Sequence, residues 1–344
     1  MQTEHPSTSL ASAPWGVDPL VGGVLHGRFQ VLEAVSESDS TPLYRALQLP
    51  LEREVALRVL TSPPEDLEAR QRFFQEARDA ARLGHPNTVT VLDAGRTDAG
   101  TPYVALEWLE GRTLAQVLAS GPLPWGRAVE LARGLGRSLR QAHQRGVVHG
   151  DVTPSHVTLV TDASGHESSL VKLRGFGRLR PVAAESKRLS VPEITVSGSF
   201  HGAHAYMAPE RARGVADARG DIYSLGVVLF QMLVGRPPFE SEDPLELVFA
   251  HHKEPVPAFR EVRPELSIPQ ALEAVVRRCL EKRPEERFAS MDAVLEALRD
   301  VGGEEEAAEP VRAPVSAHRT RTAQFVGTLA GFFRYWSRNA RVRE

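Results

Sequence analysis

The side chains best placed for chemistry in this 344-residue sequence lie in one run, His149-Gly150-Asp151-Val152-Thr153-Pro154-Ser155-His156, with short apolar pieces on either side. A carboxylate and two imidazoles fall within a few residues of one another. His156 on its own is a weak basis for a zinc site, which takes four ligands in a fixed geometry. The single cysteine, Cys279, excludes both an internal disulfide and a Cys-rich zinc site. A second polar stretch, Ser36-Glu37-Ser38-Asp39-Ser40-Thr41, reads as an ordinary hairpin turn.

Composition narrows the classes. The chain is 42% hydrophobic and 25% charged, as globular chains are. It carries 41 basic against 44 acidic residues, a formal charge of −3, which argues against a protein that coats nucleic acid. Only Lys172, Lys187, Lys253 and Lys282 are lysines, so an arginine standing where a lysine is expected carries little weight alone. No basic start followed by an apolar run marks a signal peptide, and no stretch reaches the ~18–20 apolar residues of a membrane span. A cytoplasmic location is expected.

The elements that must position these residues change in texture along the chain. Residues 1–24, rich in Ser, Thr, Pro and Ala, read as a disordered leader. Alternating runs at 27–32, 41–47 and 54–60 predict hairpin strands, and 88–92 and 103–107 predict two more. Between them, Leu67, Phe74, Ala77 and Ala81 predict a helix over 66–83. Beyond residue 111 helices dominate: 113–119, 128–145, 221–234, 244–252, 269–281 and 291–301. The pattern predicts an α+β chain of two lobes, a strand-rich one over 25–108 and a helical one over 109–301. The tail, 302–344, is acidic at Glu304, Glu305, Glu306 and Glu309, and then carries seven arginines and no acid between 312 and 343.

Residues 28–299 resemble a bacterial eukaryotic-type (Hanks-type) Ser/Thr protein kinase domain. The likeness rests on landmarks in the right order. Val55-Ala56-Leu57-Arg58 resembles the third-strand V-A-I-K, and Glu76 matches the glutamate of the following helix. His85-Pro86-Asn87 matches the turn after that helix. Leu106 stands at the gatekeeper position, before a hinge of Glu107-Trp108-Leu109-Glu110-Gly111. The run from His149 to His156 resembles H-R-D-L-K-P-x-N, and Gly175-Phe176-Gly177 resembles D-F-G. Ala208-Pro209-Glu210 is an intact A-P-E, Asp221 opens the matching central helix, and Arg287 matches the arginine that pairs with the A-P-E glutamate. The resemblance implies a bilobal fold with a small antiparallel-sheet lobe, bearing one helix, and a larger helical lobe.

The resemblance also marks which parts are altered. The three glycines of the phosphate-covering loop are Ser36, Ser38 and Thr41, and Glu37 and Asp39 add negative charge beside the expected triphosphate. Arg58 replaces the third-strand lysine with a larger, planar head, and pairing with Glu76 is the favoured reading. Thr153 replaces the lysine that steadies the transferring phosphate, and Gly150 the arginine that clamps a phosphorylated activation loop. Gly202-Ala203 stands where a threonine closes the peptide-binding loop. The two metal-binding positions are Gly175, which has no side chain, and His156, an imidazole where Mg²⁺ calls for oxygen. Asp151, the family's base, is retained but expected to sit idle, accepting local hydrogen bonds. His149, Phe176, Glu210, Asp221 and Arg287 belong to the implied structural framework.

The expected function is therefore that of a pseudokinase, acting as a protein-binding scaffold or allosteric regulator. Two alternatives stay open: a weak or unconventional ATP-dependent Ser/Thr kinase using Asp151, and a Mg²⁺-independent adenine-nucleotide sensor. The adenine slot, lined by Val35, Leu43, Ala56, Leu106 and Thr158 with hinge backbone at Glu107 to Leu109, is not blocked. No cofactor or metal is expected to be required, and any ATP or ADP binding is expected to be weak and independent of Mg²⁺. A protein partner is expected, such as an active kinase or its substrate, and no nucleic acid. Ser186, Ser190, Thr195, Ser197 and Ser199 lie in a segment read as a mobile polar loop, with phosphorylation by another kinase as the alternative. Over 323–341, Phe325, Leu329, Phe332 and Trp336 share one face of a basic amphipathic helix, suited to a partner, to self-docking or to a membrane surface.

Overall fold

Alternation of apolar and polar residues builds the first lobe. In a computed structural model, which describes residues 18–36, 41–61, 63, 66–162, 164–177, 204–215 and 217–303, β1 (Val24–Leu25), β2 (Phe29–Ser36), β3 (Leu43–Gln48), β4 (Arg53–Val59), β5 (Val91–Arg96) and β6 (Pro102–Glu107) form one antiparallel sheet. The strand order is β1-β2-β3-β4-β6-β5. One face buries Phe29, Val31, Tyr44, Ala46, Val55, Leu57 and Tyr103. The other receives helix α1 (Leu67–Ala81), whose Phe73 and Ala77, one turn apart, pack with Leu60 and Val104. Asp66 caps α1 by accepting the Ala69 N–H at 2.8 Å.

The sheet begins earlier than the sequence reading places it. Asp18 to Val24, assigned there to the leader, make a turn and a strand: the Val31 N–H donates to Gly23 O, and the Tyr44 hydroxyl donates to Asp18 Oδ2 at 2.7 Å. Leu20 and Val21 pack on the sheet's apolar face. Two apolar residues among polar ones carry no periodicity, which is why they do not read as structure.

The second lobe is built on helices α2 (Leu114–Leu118), α3 (Trp125–Gln144), α4 (Ala218–Val234), α5 (Pro244–Lys253), α6 (Phe259–Val262), α7 (Gln270–Cys279) and α8 (Met291–Gly303). α4 is buried on nearly every side, as an apolar helix at the centre of a lobe must be. Its neighbour α7 approaches closely because Gly226 has no side chain: a Cβ there would lie 2.6 Å from Cys279 Cβ. The helical reading misses a sheet in this lobe, β7 (Gly111–Thr113), β8 (Val157–Thr161) and β9 (Glu167–Leu173). Gly111, at φ +150°, lets β7 meet β8; a Cβ would sit 2.0 Å from Leu159 O. Thr88 bridges to Leu173, so the expected strand at 88–92 starts instead at Val91.

Candidate functional site

The sheet register gathers the upper wall of the cleft. Leu43 pairs with Arg58, and Ala56 with Leu106, so these four side chains share one face. Val35, at the end of β2, is 45% exposed. Ser36 closes that strand, Thr41 opens the approach to β3, and Ser38 lies outside the described residues. Arg58 Nη1 lies 3.7 Å from Glu76 Oε2, a loose ion pair, with its guanidinium 5.6 Å from the Phe73 ring centroid.

The hinge is tied from behind. Glu107 Oε1 accepts from Lys172 Nζ at 2.6 Å and from the Thr90 N–H at 2.7 Å. The side chain is thereby turned away, and Lys172, next to Thr158 across the β8–β9 pairing, links the lobes. Leu109 follows in the connector between β6 and β7. Sequence reasoning missed this contact; the rarity of lysine in the chain was its only signal.

The floor is organised around Asp221, which is 1% exposed. Its Oδ2 accepts the His149 N–H at 2.8 Å and lies 2.8 Å from His143 Nε2, and its Oδ1 accepts the Gly150 N–H at 2.7 Å. Burial alone would raise this carboxyl, but the bond and charge of His143 and the amide of Gly150 hold it below the ordinary carboxylate value. His143 was also missed. His149 Nδ1 accepts the Asp151 N–H at 3.0 Å, which fixes the proton on Nε2, and Nε2 donates to Arg174 O at 2.9 Å. Its ring meets Phe176 edge-on at 4.6 Å.

Asp151, Thr153, His156 and Gly175 converge at the centre. Asp151 is 3% exposed. His156 Nδ1 donates to Asp151 O at 2.7 Å, with Thr153 Oγ1 at 3.2 Å and Asp151 Oδ2 at 3.6 Å. Gly175, at φ +93°, faces both imidazoles: a Cβ would lie 3.7 Å from His156 Cδ2 and 3.8 Å from His149 Cε1. Gly177 packs on α1, where a Cβ would come within 3.1 Å of Glu76 Cα. At the far side, Arg287 Nη1 and Nη2 donate to Glu210 Oε1 and Oε2, both at 2.7 Å. The Arg287 side chain is 0% exposed, and its remaining donors reach Glu281 O, Arg219 O and Lys282 O.

This arrangement does not suit a hard divalent cation. Gly175 offers no donor, and the Nδ1 of His156 is committed to a carbonyl. Among the described residues, no three His, Cys, Asp or Glu side chains come together as a metal site. No helix among them is long and apolar enough to cross a membrane.

Residues 29–298 match the model of the protein kinase domain, and the chain belongs to that family, among the bacterial Hanks-type Ser/Thr kinases. Similar relatives include the serine/threonine-protein kinase pkn3 of Myxococcus xanthus, 33% identical over 83% of this chain and 52% of the relative. The DNA damage-responsive kinase RqkA of Deinococcus radiodurans is 36% identical over 77% of this chain and 38% of the relative. The chain thus spans about half the length of these relatives, or less. The fold matches a crystal structure of the Mycobacterium tuberculosis PknI kinase domain, with a TM-score of 0.61 and 27% identity over 83% of this chain and 99% of that one.

Proposed function

We propose that this chain is a pseudokinase that works by protein–protein contact, as a scaffold or as an allosteric regulator of another protein such as an active kinase. The observation that carries the reading is the pairing of Gly175 with His156, which leaves the metal-binding positions without an oxygen ligand. Phosphoryl transfer depends on metal ions bridging and neutralising the phosphates. Asp151 keeps the place of the family's base, but its backbone and the imidazole of His156 are engaged with each other. The buried Arg287–Glu210 pair and the Asp221 cluster favour a framework kept for binding. The named kinase activity of the relatives favours the opposite reading, a weak kinase using Asp151.

Incubation with labelled ATP and Mg²⁺ or Mn²⁺, beside an Asp151→Asn chain, decides between them. The expected result is no incorporation above background in either. Incorporation that disappears in the Asp151→Asn chain would make this an active kinase.

A further inference from the structure

The last turn of α5 packs against the short turn at Pro209–Arg213. Where they meet, Arg213 Nη2 donates to His252 Nε2 at 3.0 Å. A guanidinium offers only donors, so the imidazole accepts and is neutral. Burial first, and then the charges of Arg213, Lys253 and Lys282, hold His252 below the ordinary imidazole value. Cations from three separate parts of the chain thus bear on one ring. Among the described residues, no carboxylate lies in ion-pair range of Arg213, His252 or Lys253. Glu254, next in sequence, bears on Lys282.

The helix end does not account for this group. Positive side chains commonly compensate the carbonyl end of a helix. Here Lys282 does so from outside α5, donating to His251 O at 3.0 Å and Ala250 O at 3.4 Å. Arg213 and Lys253 remain exposed, with His252 half-buried between α5 and the turn. An extended polyanion is a poor match, because a nucleic-acid strand or an anionic membrane needs positive charge along a continuous surface. The other end of α5 instead exposes Glu242, Asp243 and Glu246. One compact anion fits better. A carboxylate brings one charge, whereas a phosphate monoester brings a charge of about −2 at neutral pH and three acceptor oxygens. The forked donors of arginine suit such a group. Val215, two residues beyond Arg213, is 50% exposed and adds an apolar foothold beside it.

We propose that Arg213, His252 and Lys253 form a docking site for a phosphorylated serine or threonine carried by a protein partner. None of the three belongs to the cleft, so the inference stands whether or not the cleft transfers phosphate.

Binding of labelled peptides to the full chain tests it, with one Gly- and Ala-rich sequence carrying a central serine, phosphoserine or glutamate. The parent is expected to bind the phosphoserine peptide about tenfold or more tightly than the other two. The double variant Arg213→Ala, Lys253→Ala should lose that preference and, because both residues are exposed, melt like the parent. Arg260→Ala, which removes an exposed charge from α6, should keep the preference. Equal binding of the phosphoserine and glutamate peptides would mean a surface for acidic segments in general. An equal loss in Arg260→Ala would mean that overall charge alone is read. Inorganic phosphate that displaces the peptide at the peptide's own Kd would make the free anion the ligand. Phosphatidylserine vesicles bound through Arg213 and Lys253, with the phosphoserine peptide unbound, would mean a membrane contact. Each of these results overturns the docking site, as does the absence of any phosphoserine preference in the parent.

Discussion

Arg287 illustrates how a single residue joins distant parts of the chain. Its fork spans the end of the activation segment through Glu210, the start of α4 through Arg219 O, and the turn after α7 through Glu281 O and Lys282 O. Removing one partner of a buried pair costs about 3–5 kcal/mol, because the other charge is left unpaired. Arg287→Ala is therefore expected to lose stability of that order in denaturant melts, while Asp151→Asn, which keeps its shape, should change little. If Arg287→Ala melts like the parent, the pair is not what holds this region. The order of motifs made Glu210, Asp221 and Arg287 legible as a framework. His143 and Lys172 were not, because each acts through a partner far away in sequence. Gly175 is a separate case. Its φ of +93° is one that L side chains rarely adopt, though Asp and Asn tolerate positive φ better than most, and a Cβ would meet His156 and His149 at ordinary van der Waals distances of 3.7–3.8 Å. Gly175→Asp with His156→Asn should thus fold, and its melt can establish that. It is nevertheless expected to show no kinase activity, since Arg58, Thr153 and the loop at Ser36 to Thr41 remain and each loss adds to the same barrier. Robust activity in the folded double variant would mean that those losses are tolerated.

At the level of elements, the long helices follow from local pattern and the short strands do not. α3 and α4 carry enough turns for their apolar residues to declare a period. β7 has three residues and β9 is interrupted by polar positions; their pairing depends on Gly111 meeting Leu159, a contact no window of sequence reveals. The same logic governs Gly226. It reads as a weakness within a helix, costing about 1 kcal/mol relative to Ala. In the fold it is the point where α4 and α7 touch, with 2.6 Å between the site of its missing Cβ and Cys279 Cβ. Gly226→Ala is therefore expected to destabilise by about 1–3 kcal/mol through overpacking, despite its better helix propensity. Cys279→Ala should not relieve the clash, because the contact is with Cβ, whereas Cys279→Gly should relieve part of it. Melting temperatures of the three chains check this; a more stable Gly226→Ala chain would show that α7 moves freely.

For the whole molecule, the lobes meet at the change of texture that the sequence shows near residues 107–111. What the sequence does not show is how they are fastened. Lys172 and Thr90 hold the Glu107 carboxylate from opposite lobes, and Gly177 lies against α1. In the cleft between them Gly175 brings no side-chain donor, and the Nδ1 of His156 is held by Asp151 O. If the chain works as proposed, adenine contacts and metal contacts are uncoupled, and that gives a ligand-binding test. A ligand that binds only the folded chain stabilises it by RT ln(1 + [L]/Kd), about 2.7 kcal/mol at a hundredfold excess over Kd and below about 1 kcal/mol at a few times Kd. With weak binding, ATP at millimolar concentration is expected to give a shift at the lower end. The shift should be the same with Mg²⁺ as without it, because Gly175 and His156 give the metal nothing to hold. Melts with ATP alone, Mg²⁺ alone and both together separate the contributions. A shift that requires both would place oxygen ligands for a metal–nucleotide complex within the cleft, and the kinase reading would then displace the scaffold.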